Sequence, residues 1–258
     1  MNNLIELIQK IYNRLSNRFS TTIKLKSENS SDFETVFPVA LTLAEDLSYE
    51  LGMMWFSTFN SIYNIGVYTF EYSEDGVKFT KMTTTPGAYE ISQIGEDMNS
   101  KIPVKPIPGG EVKVQNNITL SPIPSVGRCT LISKFDIKFS KELADVLGFI
   151  GDGKKVYKKG THRGEKHVNI SNVTDINIEC DLIEGAYVNG RSTSIIYSFP
   201  SNTVPFSYKI IERNNPPIYF PITRKSISSI RIRILDQDGK VISFNDEKIG
   251  LCFHLRQV

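Results

Sequence analysis

An alternation of apolar and polar residues with a period of two constrains the fold of this chain more than any other feature. In residues 227–239, isoleucines at every second position alternate with two arginines, and an Asp-Gly pair follows. Residues 176–182 and 249–256 show the same alternation. Successive side chains of a β-strand point to opposite faces, so this period predicts strands with one buried face. Several such segments predict an antiparallel sandwich or barrel.

The rest of the chain also reads as short strands joined by turns, with two short helices. Residues 49–56 are apolar at both parities towards their end, which favours a central strand. Ser73-Glu74-Asp75-Gly76 separates two strand-like runs, and its Asp-Gly pair suits a tight hairpin. One helix is predicted within residues 88–99, and a second over 141–147, between Ser140 as N-cap and Gly148 as terminator.

The chain shows no internal repeat and no linker. We therefore predict an N-terminal amphipathic helical arm over residues 1–30 and a single domain over residues 31–258. Hydrophobic residues make up 40% and charged residues 22%, which excludes the disordered and membrane classes. The first residues lack the apolar core and cleavage site of a secretory signal, and three cysteines fit a reducing compartment. We expect a protein that stays inside the cell that makes it and has no membrane span.

Residues 3–19 are predicted to form the helix of the arm. Lys10, Arg14 and Arg18 recur every four residues on one side of it. Another face is apolar and is formed by residues at spacings of three or four, namely Leu4, Ile8, Ile11, Leu15 and Phe19. This face fits packing on the chain's own domain or on a neighbouring subunit. A membrane-surface or scaffold-binding arm and contact with packaged DNA are the alternatives.

Residues 150–170 form a basic segment. It contains six cationic side chains and two carboxylates, Asp152 and Glu165, so its formal charge is 6 − 2 = +4. The whole chain has a net charge of only +2. These cations are Lys154, Lys155, Lys158, Lys159, Arg163 and Lys166. The segment is either a solvated loop or a binding site for a polyanion, such as a genome, a sulfated glycan or an acidic partner.

Motifs of catalysis and of metal binding are weak. Residues 148–155 match the spacing of a phosphate-binding loop, but Lys155 stands where Ser or Thr would hold magnesium, and a helix precedes the segment instead of a strand. His162 and His167 lack the further ligands of a zinc site, and there is no Gly-x-Ser-x-Gly elbow. We therefore predict no catalytic residue, no cofactor, no metal and no enzymatic activity.

Five segments between residues 175 and 256 carry a resemblance to a known family. They are DINIECDLIEGAYVNGRSTSIIYSF, YKIIE, PPIYFPI, ISSIRIRILDQDGKVISF and IGLCFHLR. In this order and spacing the chain resembles the minor capsid (penton) proteins of Polinton or Maverick elements, adintoviruses and virophage-like viruses. The match extends weakly upstream to about residue 33, and it includes neither the arm nor the basic segment.

The resemblance implies a single jelly roll, whereas strands alone fit an immunoglobulin-like sandwich equally well. It implies a structural protein of the virion that forms homopentamers at the fivefold vertices of a small icosahedral particle, beside a double jelly-roll major capsid protein. The alternative is a jelly-roll attachment protein that binds a receptor or glycan on the host surface. Several aromatic residues are candidates for the ring contact, namely Trp55, Phe56, Tyr63, Tyr68, Phe199, Tyr219 and Phe220.

Overall fold

The structure of the protein is a computed structural model. It describes residues 19–103, 116–171, 173–188, 190–201 and 204–258. Within these ranges the chain divides into two compact units. Unit 2 is the continuous stretch Ile62–Asn172, and unit 1 is formed by the chain before and after it. The predicted boundaries of an arm over residues 1–30 and of one domain over residues 31–258 stay predictions.

Unit 1 consists of β-strands. They are β1 (Ser20–Ser27), β2 (Asp32–Thr42), β3 (Tyr49–Phe59), β10 (Asp175–Cys180), β11 (Ala186–Val188), β12 (Arg191–Thr193), β13 (Ile195–Pro200), β14 (Lys209–Arg213), β15 (Tyr219–Pro221), β16 (Ser226–Leu235) and β17 (Ile249–Gln257). Intervening numbers belong to unit 2, since strands are numbered along the chain.

Most of these strands form two antiparallel sheets. The first has the order β1-β17-β3-β14, with β15 also paired to β3, and the second has the order β13-β10-β16-β2. The short strands β11 and β12 form a separate ribbon. These two orders contain eight strands, which can be renumbered 1 to 8 along the chain. The first sheet then has the order 1-8-3-6 and the second has the order 2-7-4-5. Two interleaved Greek keys of this kind make a jelly roll. The predicted all-β jelly-roll sandwich is therefore confirmed.

The two sheets pack face to face around an apolar core. Phe56 in β3 and Phe199 in β13, which belong to different sheets, have ring centroids 5.5 Å apart. The alternation in β16 has the expected result, since its inward side chains are fully buried. These side chains are Ile230, Ile232 and Ile234. The period-two pattern thus identified one wall of the core correctly.

The outward side chains of β16 form ion pairs across the second sheet. Arg231 donates from Nε and from Nη2 to the two carboxylate oxygens of Asp32 on β2, each at 2.9 Å. Arg233 pairs with Glu179 on β10. Opposite charges on neighbouring strands stabilise a sheet modestly when they are exposed to water. These pairs also favour the observed strand register.

Unit 2 is smaller and mixed. Its elements are β4 (Thr69–Ser73), β5 (Thr80–Thr83), α1 (Ile91–Lys101), β6 (Ile118–Ile123), a 3₁₀ turn (Pro124–Val126), β7 (Arg128–Ser133), β8 (Asp136–Phe139), α2 (Lys141–Leu147) and β9 (Gly160–Arg163). The strands form two three-stranded sheets of order β5-β4-β8 and β6-β7-β9. Unit 2 has its own apolar core, in which the rings of Phe139 and Phe149 have centroids 5.4 Å apart.

Local signals in unit 2 have the structures predicted for them. Asp75 and Gly76 turn the chain between the paired strands β4 and β5, and Gly76 has a φ of 75°. Ser140 caps α2 by accepting a hydrogen bond from the Leu143 N–H, and Gly148 ends it at a φ of 74°. Both glycines adopt the left-handed backbone conformation that side chains disfavour.

The three cysteines carry free thiols and are buried. Burial raises the pKa of the Cys129 thiol to about 11 and that of Cys180 to about 12. Cys180 has the same parity in β10 as the buried residues Ile176 and Ile178, so the alternation predicts its position in the core. Thiols of this kind are inert, because the reactive thiolate does not form near neutral pH.

Candidate interaction surfaces

One buried tyrosine anchors the basic segment, residues 150–170, to the core of unit 2. Tyr157 packs edge-on against Phe149, with ring centroids 5.1 Å apart, and its hydroxyl donates to the Ile150 carbonyl at 3.0 Å. Glu165 accepts hydrogen bonds from the Ile150 N–H and from Lys155, and its carboxylate lies 3.2 Å from the Tyr157 hydroxyl oxygen. Partial burial opposes ionisation of Glu165, yet the bond from Lys155 and backbone donors hold the pKa of its carboxyl below the ordinary value.

Three of the predicted cations of this segment are already paired. Lys155 pairs with Glu165, Lys158 with Asp136 at 2.9 Å, and Lys166 with Asp145 at 3.3 Å. We call these three the paired lysines. The bond from Lys158, followed by one from the Lys159 N–H, lowers the pKa of the Asp136 carboxyl. Since Asp136 and Asp145 lie outside the segment in sequence, the charge count made from the sequence did not include them.

The other three cations remain exposed to solvent. Lys154, Lys159 and Arg163 form no ion pair with any residue that the structure describes. The six cations now face four carboxylates, Asp136, Asp145, Asp152 and Glu165, so the local charge is 6 − 4 = +2. A polyanion would therefore meet three free cations, and binding by this segment stays a prediction.

One histidine of this segment, His162, has contacts within the fold. His162 lies edge-on to Tyr157 with ring centroids 5.4 Å apart and bonds through Nε2 to the Lys158 carbonyl. Nowhere in the described chain do three His, Cys, Asp or Glu side chains come together as ligands for a metal. The spacing that matched a phosphate-binding loop has no helix after it, because residues 149–159 form no helix.

Most of the predicted arm, including Leu4, Ile8, Ile11 and Leu15, lies outside the described residues. Phe19 is described and leads directly into β1. Its ring lies edge-on to Tyr49 at 5.9 Å between centroids, and its N–H donates to Gln257 Oε1 at 3.3 Å. Phe19 therefore packs on the sandwich of its own unit. No helix in the described part of the chain is long and apolar enough to cross a membrane.

An apolar surface lies along β14 at one edge of the first sheet. Tyr208 is 65% exposed and Ile211 is 54% exposed, and Phe59 and Phe206 beside them are also exposed. The approach to β14 is held by Asn60, which donates from its N–H to the Tyr208 carbonyl at 2.8 Å and accepts from the Ser207 N–H at 2.7 Å. We call Phe59, Phe206, Tyr208 and Ile211 the β14 surface.

A second apolar surface lies along β2 at one edge of the second sheet. Val36 is 70% exposed and Val39 is 83% exposed. The pairing of β2 with β16 breaks between Val36, opposite Ser229, and Leu41, opposite Ile227. We call Val36, Val39 and the intervening residues 37–38 the β2 surface. It is an edge strand with a bulge, a place where unpaired backbone and apolar side chains attract partners.

The aromatic candidates for a ring contact divide into core and surface residues. Phe56 and Phe199 are buried in the sandwich, and Tyr68 packs against the core of unit 2. Tyr63 is exposed, while Trp55, Tyr219 and Phe220 are half-buried. The contribution of Phe56 and Phe199 is therefore to the fold.

A polar network on the outer face of the first sheet was not anticipated from the sequence. His254 of β17 is bonded to Ser20 Oγ through Nε2 at 2.6 Å and to the Tyr219 hydroxyl through Nδ1 at 2.8 Å. Arg256 stacks over the Tyr219 ring at 3.5 Å and pairs with Glu50 at 3.0 Å. Its residues come from four strands, so no local pattern could have found it.

A cleft of about 480 Å³ lies in unit 1 beside the ribbon of β11 and β12. Its polar lining includes Asn177, Glu179, Arg191, Thr193 and Asp236. Such groups can form hydrogen bonds with a hydroxyl-rich ligand.

The comparison with solved structures finds chains of similar structure, among them a penton protein. The crystal structure of the selenomethionine-labelled mavirus penton protein superposes with a TM-score of 0.48 at 12% sequence identity, covering 93% of this chain and 100% of that chain. No protein-family model matches the sequence. No curated protein matches it either. A penton protein is thus among the structures to which this chain is similar.

Proposed function

We propose that this protein is a structural component of a viral capsid, the penton that forms the fivefold vertices of a small icosahedral virion. The observation that carries the proposal is the jelly roll of unit 1, built from the segments that resemble penton proteins. These segments supply the strands from β10 to β17. The resemblance therefore includes five of the eight strands in the two four-strand orders, namely β10, β13, β14, β16 and β17.

The surface of unit 1 supports assembly with other subunits. Monomeric proteins rarely expose contiguous apolar patches of large side chains, and such patches usually mark sites of protein contact. The β14 surface and the β2 surface each expose apolar side chains at the edge of a sheet. A ring of five copies requires two different surfaces on each subunit, since a heterologous contact repeats around the axis until the ring closes.

The proposal implies its partners and its location. The protein would contact four further copies of itself and a double jelly-roll major capsid protein that forms the rest of the shell. It would be found in the virion after assembly inside the host cell, and it would work through binding alone.

The mass of the purified protein in solution tests this function. Light scattering coupled to size exclusion should give about 145 kDa, five times the 29.1 kDa of one chain, with fivefold rings in negative-stain images of the same peak. Co-expression with the major capsid protein should place the chain at the vertices of the particles. A stable trimer, or particles that exclude the chain, would contradict the proposal.

A second candidate is attachment to a host glycan, which the polar cleft beside the ribbon favours. In that case the isolated protein should bind members of a glycan array, and Arg191→Ala should abolish the binding because Arg191 lines the cleft. Val241→Ala, an exposed position outside the lining, is the matched control. Array binding that is unaffected by Arg191→Ala would remove the cleft as its site.

A further inference from the structure

The two apolar surfaces of unit 1 lie on opposite sides of the sandwich. β14 and β1 are the two edges of the first sheet, and β13 and β2 are the two edges of the second. Residues 28–31 join β1 to β2, so those two edges are adjacent. Residues 201–208 join β13 to β14, which makes the other two edges adjacent. The β2 surface and the β14 surface are therefore separated by the width of a four-stranded sheet.

The two surfaces differ in charge as well as in position. Lys209 and Arg213 are exposed on β14, and neither forms an ion pair with any residue in the described ranges. Glu45 and Asp46 are exposed just after β2 and likewise have no ion pair within those ranges. Cations flank one apolar surface and carboxylates flank the other, so two copies can present complementary charges.

The backbone of β2 favours contact through side chains. The register shift leaves residues 37–40 outside the ladder with β16. Pro38 within this bulge has no N–H to donate to an added strand. An incoming strand could not continue the sheet through this point. Val36 and Val39 instead protrude as apolar side chains of the kind that fill a pocket on a partner.

We propose that the β2 surface of one copy packs against the β14 surface of the next copy. This inference rests on the proposed function and specifies the contact from which the ring is built. Val36 and Val39 meet the side chains of Phe59, Phe206, Tyr208 and Ile211, while Glu45 and Asp46 lie near Lys209 and Arg213 of the neighbour. Each copy uses one surface on each side, so the contact is heterologous. In the proposed ring, the fifth copy contacts the first through the same pair of surfaces.

Two single variants and their mixture test the contact. Val39→Glu places a carboxylate on the β2 surface, and Ile211→Glu places one on the β14 surface. Each variant alone should have the mass of a monomer, 29.1 kDa, instead of about 145 kDa. An equimolar mixture should form a 1:1 dimer of about 58 kDa, because the intact β14 surface of Val39→Glu still fits the intact β2 surface of Ile211→Glu. A self-complementary contact would not give this result.

A matched control tests whether any exposed valine changed to glutamate would disrupt the ring. Val77→Glu changes a valine that is 84% exposed, against 83% for Val39, and lies in unit 2. It should leave the pentamer intact. Val36→Ser and Tyr208→Ser remove apolar contacts without adding charge, and each should move dissociation of the ring to a protein concentration at least tenfold higher. All variants should keep the far-UV circular dichroism of the wild type.

Each other outcome refutes a specific statement. Pentamers that persist in both glutamate variants would overturn the assignment of the two surfaces and leave the proposed ring in place. Monomeric variants whose mixture gives no dimer would overturn the heterologous contact. A wild-type protein that is not pentameric would refute the proposed ring, and this contact with it.

Discussion

Asn99 in unit 2 offers a prediction whose size follows from its hydrogen bonds. The side chain is buried at the end of α1 and faces β6, which is an edge strand of its sheet. Its Oδ1 accepts from the N–H of Ile118 at 2.9 Å and of Asn117 at 3.0 Å, and its Nδ2 donates to the Ile118 carbonyl. The amide thus takes the place of a further strand for the backbone of Ile118.

Asn99→Ala should lower the free energy of unfolding by about 2–5 kcal/mol. The change leaves the N–H and the carbonyl of Ile118 buried without a partner, at roughly 1–3 kcal/mol for each group. Alanine recovers about half a kcal/mol through its higher helix propensity. This net loss of about 2–5 kcal/mol is a large share of the free energy of unfolding of a small folded unit.

Urea unfolding followed by far-UV circular dichroism measures this loss. Ser100→Ala is the control on the same helix, because its exposed hydroxyl bonds only to the Asp97 carbonyl among the bonds described for it. It should change the free energy by less than about 0.5 kcal/mol. Trp55, the single tryptophan of the chain, lies in unit 1 and reports that unit separately by fluorescence. A loss below about 1 kcal/mol for Asn99→Ala would refute the reasoning, since it would mean that Ile118 finds other partners.

Four further predictions concern charge, thiols and the arm. Changing Lys154, Lys159 and Arg163 together to Ser should abolish retention on heparin. The same change in the three paired lysines should lower the melting temperature and leave most of the retention. Equal retention by both triple variants would contradict this. The three thiols should resist a thiol reagent in the native protein and react fully in urea, and fast native labelling would contradict their burial. The N–H groups after the β4–β5 turn, from Lys78 first and then Val77, lower the pKa of Asp75 from 3.8 to about 2, so its contribution to stability is present above pH 4 and is lost as pH falls towards 2; an NMR titration midpoint near 4 would refute the turn geometry. Deleting residues 1–18 should leave the unfolding midpoint unchanged but lower the yield of co-expressed particles, and unchanged yield would argue against a role of the arm in assembly.

Local patterns predicted much of unit 1 and the turns of unit 2. Three of these features depend only on residues close in sequence. They are the buried isoleucines of β16, the Asp75-Gly76 turn and the capped helix α2. A period of two and a capping serine act locally, so the sequence alone was enough to predict them. The jelly roll itself came from the resemblance, because alternation does not specify which strands pair.

Features that depend on distant residues were not predictable in this way. Cys252 has the parity of His254 and Arg256, which lie on the outer face, yet it is buried because Trp55 on β3 lies opposite it in the register and contacts its thiol. The paired lysines depend on Asp136 and Asp145, which lie before the basic segment. The strands of unit 2 alternate like those of unit 1, so nothing in the pattern showed that they form sheets of their own.

The position of β17 between β1 and β3 has a consequence for synthesis of the protein. Ser20 and His254, bonded across this junction, are 234 residues apart in the chain. A ribosome therefore releases β1 and β3 long before the strand that joins them, and the nascent chain carries two open strand edges until β17 emerges. Closing so long a loop is slow compared with forming a local hairpin. A chain that terminates before β17 lacks an interior strand of the first sheet, so β1 has no strand of that sheet to pair with.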